Sequence, residues 1–92
     1  MDRLVVSRHP AAIEFIRAAE PEFAGALVLA SATPDDVRGK SVAGNLPLHL
    51  AALAAEVIAV EFSGAAPRGV EYGLSEMRAA GAHLVRYKVV AL

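Results

Sequence analysis

The sequence contains no cysteine and no tryptophan, and aromatic residues make up only 5% of its 92 positions. Without cysteine, neither a disulfide framework nor a cysteine-ligated zinc site is possible. No run approaches the roughly 18 consecutive apolar residues that a membrane-spanning helix needs, and the apolar run after Met1 is too short for a secretory signal. We therefore expect a cytoplasmic protein with no membrane partner.

The sequence also lacks an excess of charge of either sign, because 9 Lys and Arg residues face 10 Asp and Glu residues. Duplex nucleic acid and anionic membranes are captured by clustered positive charge. A formal net charge of -1 therefore argues against duplex nucleic acid as a partner. The 3 histidines have no cysteine beside them and no carboxylate at ligand spacing, so we expect no bound metal.

The chain is long enough for one small domain, residues 1–92, and too short for two stable cores. Hydrophobic residues reach 55%, but many of them are alanines, which remove little surface from water when they are buried. A domain of this size buries only about 60–65% of the surface of its unfolded chain. Because such a core is marginal alone, we expect the protein to form a homodimer.

Apolar patterning predicts five strands. Continuous apolar runs within residues 3–7, 25–30 and 57–62 are typical of parallel strands that are covered on both faces, and residues 40–44 form a weaker strand. Residues 83–90 alternate apolar and polar side chains, as an edge strand with one solvated face does. The central strands are therefore expected to be parallel and the last strand to lie at an edge.

Helices and loops alternate with these strands. They are predicted at residues 10–20, in one turn near 33–36, at residues 47–55 and after Ser75, which can cap a short helix that Gly81 ends, with a loop over 63–69. Strand and helix alternation with a parallel centre indicates an α/β fold. We predict a small Rossmann-like, mostly parallel sheet with flanking helices and an edge strand at the C-terminus.

Two strand-to-helix turns share one layout. They are residues 5–10 (Val-Val-Ser-Arg-His-Pro) and 42–47 (Val-Ala-Gly-Asn-Leu-Pro), and each ends in a proline that suits the start of a helix. In a parallel sheet both turns emerge at the carboxyl edge, where such folds bind ligands. Both helix N-termini would direct free N–H groups to that edge, which predicts an anion-binding site. Neither turn contains a Gly-x-Gly-x-x-Gly or Walker pattern.

The first turn carries the densest polar cluster, Ser7, Arg8 and His9. Arg8 offers a fork of donors that matches phosphate geometry, and His9 can exchange a proton near neutral pH. The alternative is that Arg8 is a solvated loop residue and His9 only forms hydrogen bonds at the helix start. Residue spacing favours neither interpretation over the other.

The second turn offers Asn45 and His49. His49 lies in the first turn of a helix whose other residues are almost all apolar, so we expect this helix to be buried between the sheet and a second subunit. A single histidine there is more often a core residue with a satisfied partner than a catalyst, and Asn45 is also a common turn residue. Tyr72 and Met77 are expected to be core or interface residues.

Three blocks of the sequence resemble the CRISPR-associated Csx-sixteen family. The most specific is residues 5–16, Val-Val-Ser-Arg-His-Pro-Ala-Ala-Ile-Glu-Phe-Ile. The second is residues 44–52, in which Asn45 stands where threonine is usual and keeps a short polar side chain. The third extends from residues 74–78 to Arg86 and Tyr87. Taken in order, the blocks span nearly the whole chain.

The resemblance implies a ring nuclease of type III CRISPR defence, a homodimer that linearises cyclic oligoadenylate, chiefly cyclic tetra-adenylate. A ribose 2′-hydroxyl attacks its own 3′-phosphate in line, so the reaction requires no metal or other cofactor. On this hypothesis the catalytic candidates are His9, Arg8 and His49, with His9 the first choice for proton transfer. The candidates for substrate binding are Ser7, Arg8, Pro10, Gly44, Asn45 and Leu46.

Two other functions fit the same sequence. A sensor or sponge would hold the cyclic nucleotide without cutting it, and every candidate residue except His9 and His49 would serve such binding equally well. A structural or partner-docking protein would use the alanine-rich helix only for assembly.

Overall fold

The computed structural model describes residues 2–65 and 72–92, and it contains one five-stranded sheet with helices on both faces. The strands are β1 (Arg3–Val6), β2 (Leu27–Leu29), β3 (Ser41–Ala43), β4 (Glu56–Phe62) and β5 (Ala82–Tyr87). The helices are α1 (Pro10–Ala19), a 3₁₀ helix (Pro21–Phe23), α2 (Pro34–Val37), α3 (Leu48–Ala51) and α4 (Leu74–Ala79). Across these two described stretches, no helix has the length and apolar character needed to cross a membrane.

The strand order is β2-β1-β3-β4-β5. Strands β1 to β4 are parallel to one another, and β5 pairs antiparallel with β4 at the edge. The predicted α/β class, with a mostly parallel sheet and a C-terminal edge strand, is therefore confirmed. Because the chain leaves β1 on one side for β2 and returns on the other for β3, the topological switch point lies between β1 and β3. Doubly wound sheets bind ligands at this point, beyond the carboxyl ends of the strands.

The core has one layer on each face of the sheet. Successive residues of β1 point to opposite faces, so Leu4 packs under α2 and α3 while Val5 packs under α1 and the 3₁₀ helix. A third cluster, built around Phe15 and Met77, joins α4 to α1. The sheet and α1 are therefore held by burial on both sides, which fixes the strand ends that carry the candidate residues.

Helix α1 agrees with its prediction at both ends. It starts at Pro10, whose missing N–H costs nothing in the first turn, and it stops just before Pro21. Its buried face includes Phe15 and Ile16. The predicted turn near 33–36 is also present as α2, where the Thr33 N–H donates to the Asp36 carboxylate at 2.7 Å.

Helix α3 is shorter than predicted. The predicted range was 47–55, but the helix ends at Ala51 because the backbone beyond it bonds elsewhere. The carbonyl of Leu53 accepts from the N–H of Gly39 at 3.1 Å, and the N–H of Ala55 donates to the carbonyl of Lys40 at 2.8 Å. Its Leu48 is 77% exposed in the single chain, so the predicted burial against a second subunit stays a prediction.

Strand β2 and the cap of α4 also differ from their predictions. Strand β2 was expected to be covered on both faces, but it forms the second edge of the sheet and its Leu27 is 63% exposed. Ser75 lies inside α4, and the capping position belongs to Gly73, whose N–H donates to the Glu76 carboxylate at 3.0 Å. Gly81 ends this helix as predicted, with a φ of 77°. Much of the predicted loop 63–69 lies outside the described residues.

Candidate functional site

A cavity of about 410 Å³ opens at the carboxyl edge of the sheet, within the size range of small-molecule sites. Its walls come from the segments that follow β1, β2 and β3, and from the end of β4. The two turns singled out in the sequence meet here, because β1 and β3 are neighbours across the switch point. Of the predicted site residues, the cavity wall includes Ser7, Arg8, His9, Gly44, Asn45 and Leu46.

Gly44 allows the two turns to meet. Its φ is +130°, and a Cβ built on it would lie 2.1 Å from the carbonyl oxygen of Val6. Its N–H donates to the carbonyl of Ile58 at 2.9 Å, so the residue is held from the β4 side as well. Any side chain would push the end of β3 away from the end of β1, and only glycine fits.

Arg8 lies exposed beside the cavity with its guanidinium partly fixed. Its Nε–H donates to the carbonyl of Ala30 at 3.3 Å, which places the side chain across the ends of β1 and β2. Within the described stretches, no carboxylate pairs with Arg8. The terminal guanidinium nitrogens therefore keep donors for an anion at the cavity.

Ser7 shapes the first turn. Its Oγ accepts the backbone N–H of His9 at 3.1 Å, while its own N–H donates to the carbonyl of Leu29 at 3.0 Å. A serine hydroxyl that accepts one hydrogen bond can still donate one. Ser7 therefore holds the turn and keeps a donor at the cavity wall.

His9 lines the cavity with its ring stacked on Tyr72. The ring centroids are 4.0 Å apart and the ring planes are inclined by 25°. Both imidazole nitrogens are shielded from solvent, and neither has a hydrogen-bond partner among residues 2–65 and 72–92. His9 therefore carries a donor and an acceptor that no group of the described residues uses.

Asn45 uses its side chain to hold β4. Its Nδ2 donates to the carbonyl of Val60 at 3.2 Å, and its Oδ1 accepts the N–H of Val60 at 2.9 Å. The Asn45 side-chain amide thus pairs with the Val60 backbone as a neighbouring strand would, two residues beyond the end of β3. Each amide atom can form one further hydrogen bond, so Asn45 also keeps capacity for a ligand.

Two predicted site residues lie outside the cavity wall. His49 is exposed on α3, where the next residue, Leu50, takes the inward position. Pro10 lines a second cavity of about 270 Å³, which has His9 in its wall as well. The predicted pair of helix N-termini reduces to one, since α3 has only 4 residues and too few aligned peptide dipoles.

Sequence reasoning missed two aromatic residues of the cavity. Tyr72 was expected to be a core or interface residue, and Phe62 was not considered, yet both line the wall. Phe62 is the last residue of β4, so its place at the carboxyl edge could have indicated it. Nothing in the local sequence around Tyr72 shows that it meets His9, because the two residues are distant along the chain.

The opposite end of the sheet gathers charged groups that satisfy one another. Arg86 pairs with Glu20 at 3.2 Å, with Glu22 at 3.0 Å and with Glu56 at 2.6 Å. Ser41, at the start of β3, donates to the same Glu56 carboxylate at 2.6 Å. Burial alone would lower the pKa of Arg86, but the charges of Glu56 and Glu20 outweigh it and raise that pKa. No group of three or more candidate metal ligands occurs in the described residues.

Residues 4–90 match the model of a family described as "Putative CRISPR-associated protein (Cas_VVA1548)". The chain belongs to this CRISPR-associated family. Comparison with curated proteins and with solved structures gave no match. The match covers both turns, so the whole wall of the larger cavity lies inside the region that defines this CRISPR-associated protein.

Proposed function

We propose that this CRISPR-associated protein is a ring nuclease of the Csx-sixteen type, which binds cyclic oligoadenylate and linearises it, chiefly cyclic tetra-adenylate. The observation that carries the proposal is the single cavity at the switch point, where Arg8 and Asn45 from separate turns lie in one wall. Membership of a CRISPR-associated family supports a nucleotide signal of CRISPR defence as the ligand.

The proposed reaction is an internal transfer of the phosphoryl group. A ribose 2′-oxygen forms a bond to the phosphorus of its own 3′-phosphate while the bond from phosphorus to the 5′-oxygen breaks. The 2′-hydroxyl loses a proton and the departing 5′-oxygen gains one, which leaves a 2′,3′-cyclic phosphate and a 5′-hydroxyl. Catalysis consists of aligning these atoms and stabilising added negative charge on the phosphate, and neither task requires a metal.

The cavity assigns these tasks to particular residues. The free guanidinium nitrogens of Arg8 bind the phosphate, and the first turn of α1, which reaches the wall at Ala12, adds the partial positive charge of a helix N-terminus. Ser7 and Asn45 orient the ribose or the scissile phosphate. His9 remains the first candidate for proton transfer because it lines the cavity, whereas His49 would have to reach the ligand from outside it.

The proposal includes a homodimer. Leu48 is 77% exposed and Tyr87 43% exposed, and both line an apolar groove of about 320 Å³ beside α3. This groove shares Asn45 and Leu46 with the larger cavity, so a second copy seated in it would bring two cavities together. A two-fold dimer then offers matching sites to a ring that has two-fold symmetry itself.

Light scattering tests the dimer. The protein is expected to be dimeric at micromolar concentration and Leu48→Asp to be monomeric, because a charge in an apolar interface is costly. Leu27→Asp is the matched control, since Leu27 is 63% exposed at the other edge of the sheet. A monomeric parent protein, or equal dissociation by both substitutions, contradicts the proposed interface.

A second candidate function is non-catalytic binding of cyclic oligoadenylate, by a sensor or sponge. It is favoured by the state of His9, whose two ring nitrogens are shielded behind the stack with Tyr72. A proton-transfer group that a ligand cannot reach would leave binding without cleavage. Arg8 and the N-terminus of α1 serve this function equally well.

A cleavage assay separates the two functions. Excess protein is incubated with cyclic tri-, tetra- and hexa-adenylate in the presence of EDTA, and the products are separated by chromatography. His9→Ala is expected to slow cleavage by about 10²–10⁴-fold while binding changes little. Arg8→Ala is expected to weaken binding by roughly ten- to a hundred-fold, the value of a hydrogen bond to a charged group.

Matched controls come from the same residue types. Arg38→Ala removes an exposed arginine just after α2, and His83→Ala removes an exposed histidine that bonds only the carbonyl of Gly81 within the described residues. Both are expected to act like the parent protein. An intact ring after long incubation with excess protein supports the sponge, and unchanged cleavage by both Arg8→Ala and His9→Ala refutes the residue assignments.

A further inference from the structure

The stacked rings of His9 and Tyr72 form a partition between two cavities. Both residues line the larger cavity of about 410 Å³ and the smaller one of about 270 Å³. On the smaller side the partition faces the N-terminal half of α1 and the start of α4, including Glu14 and Leu74. The imidazole is therefore held between a ligand-sized space and an aromatic ring.

The shielded nitrogens of His9 are unusual in this chain. Among the described residues, the buried side-chain nitrogens and oxygens without a hydrogen-bond partner are the two in His9 and the Nε of Arg17. Leaving a shielded polar atom unpaired is unfavourable, and an apolar side chain would fill the same space without that cost. The unpaired imidazole belongs to a residue in the wall of the larger cavity, beside the space that a ligand would fill.

We propose that Tyr72 is a positioning residue, which holds the His9 imidazole in one plane at the cavity wall and keeps water from its nitrogens. This inference rests on the proposed function, in which His9 exchanges a proton with the bound nucleotide. A free imidazole would rotate about its side-chain bonds and be solvated, and a reacting group out of line loses rate steeply. The stack fixes the ring before the ligand arrives.

The contact that matters is the face of the aromatic ring. The position of Tyr72 relative to His9 is defined by the centroid distance of 4.0 Å and the near-parallel planes. A phenylalanine at position 72 keeps that face, while an alanine removes it. Among the described residues, the charged side chains on the two sides of the partition are Arg8 and Glu14, and both variants leave them unchanged.

The first experiment needs no substrate. The Hε1 and Cε1 resonances of the 3 histidines are recorded by NMR in the free protein and assigned with one His→Gln variant for each. Stacking on an aromatic ring is expected to displace the His9 resonance from those of the exposed His49 and His83. Tyr72→Phe should keep this displacement and Tyr72→Ala should abolish it.

Leu74→Ala is the matched control for a purely structural role. Leu74 packs in the same cluster as Tyr72 and lines the smaller cavity, but it does not stack on His9. It should lower the melting temperature and leave the His9 resonance in place. A His9 resonance that stays unchanged in Tyr72→Ala, or that moves equally in Leu74→Ala, overturns the inference.

The second experiment measures single-turnover cleavage and binding of cyclic tetra-adenylate. Tyr72→Phe should cleave within about two-fold of the parent rate, and Tyr72→Ala should be slower by at least about ten-fold with Kd changed by less than about three-fold. The double variant Tyr72→Ala, His9→Ala should be no slower than His9→Ala alone, because both changes act through one group.

The two experiments separate failure of this inference from failure of the proposed function. If the parent protein cuts the ring and Tyr72→Ala cuts it equally fast, the positioning role is refuted and the ring nuclease stands. If the parent protein does not cut the ring, the proposed function fails together with the catalytic reason for the stack. The NMR result then still decides whether Tyr72 holds the imidazole.

Discussion

The two ends of the central sheet hold polar residues in opposite states. At the amino end, Arg86 is surrounded by three carboxylates, and the same Glu56 also accepts a hydrogen bond from Ser41. At the carboxyl end, Arg8 pairs with no carboxylate of the described residues. The nitrogens of the His9 ring have no hydrogen-bond partner among those residues. Both ends are built from ordinary charged and polar side chains, and they differ in whether those side chains satisfy one another.

This difference is a more direct indicator of a ligand site than residue type is. Charges that pair within the protein contribute to folding and have little left to offer a ligand. The free donors of the exposed Arg8 lie beside a cavity of about 410 Å³ and can exchange their hydration for a bound anion, while the shielded His9 nitrogens have no hydrogen-bond partner among the described residues. The carboxyl end therefore has the properties of a binding site, and the amino end has those of a structural clamp.

The largest effect is expected for Gly44→Ala, which tests whether the carboxyl end needs its close backbone contact. The new Cβ would lie 2.1 Å from the carbonyl oxygen of Val6 at a φ of +130°. We expect the free energy of unfolding to fall by about 3 kcal/mol or more, measured by urea denaturation. The strand ends must separate or the turn must change conformation.

Gly25→Ala is the control for this substitution. A Cβ at Gly25 would meet nothing within 4 Å, so the change should alter stability by less than about 1 kcal/mol. Equal stability of the two alanine variants would show that the ends of β1 and β3 are not in the tight contact described.

A smaller effect is expected for Arg86→Met, which tests the amino end. The substitution leaves three glutamates close together without their cation, while the Arg86 side chain is already 46% exposed. We expect a loss of about 1 kcal/mol, or a Tm lower by roughly 4–8 °C, with ligand binding unchanged. Arg38→Met, which removes a mostly exposed pair with Asp35, should shift Tm much less. Weaker ligand binding by Arg86→Met would contradict the separation of the two ends.

The smallest expected effect is the pH dependence of the stability that Arg86→Met loses. Burial opposes ionisation of Glu22, but hydrogen bonds with Glu20, with its own backbone and with Arg86 hold its pKa below the ordinary value. A lowered carboxyl pKa adds stability above the ordinary Glu pKa of about 4.3, and this is lost as the pH falls through the native value. The difference in Tm between the parent and Arg86→Met should therefore narrow from about pH 7 to about pH 3. A constant difference would exclude the carboxylates as its cause.

The parts of the fold that local sequence determines were predicted well. Helix α1 has a proline at its start, another just after its end and an apolar stripe between, so its bounds follow from the chain itself. The same holds for the two turns, since their place at one sheet edge follows from parallel strands. Both turns line one cavity, and the binding of a ligand there stays a prediction.

The parts that depend on distant contacts were predicted poorly. The alanine-rich run after Pro47 favours a long helix, but hydrogen bonds to Gly39 and Lys40 end α3 after 4 residues. The apolar residues of β2 favour a covered strand, but they do not determine the strand order that places β2 at an edge. Helix propensity and apolar runs describe a segment and do not describe its neighbours.

The site shows the same limit. His49 lies in the first turn of its helix, as predicted, but its side chain is exposed and the next residue, Leu50, takes the place at the wall of the larger cavity. Tyr72 reaches His9 only through the packing of α4 on α1, which no periodic pattern records. The sequence indicated the side chains that follow β1 and β3, and it did not indicate Phe62 at the end of β4 or Tyr72 just before α4.

The contact of Gly44 with Val6 has a mechanical consequence. The two turns meet backbone to backbone at this point. No side chain lies between them that could change rotamer and widen the gap. If the ligand is the cyclic oligoadenylate proposed above, the ring must adapt its conformation to a distance between the turns that the protein cannot change. Selectivity between rings of different size would then depend on the stiffness of the protein backbone. Enlarging any side chain that lines the cavity would change affinity without changing the distance between the two turns.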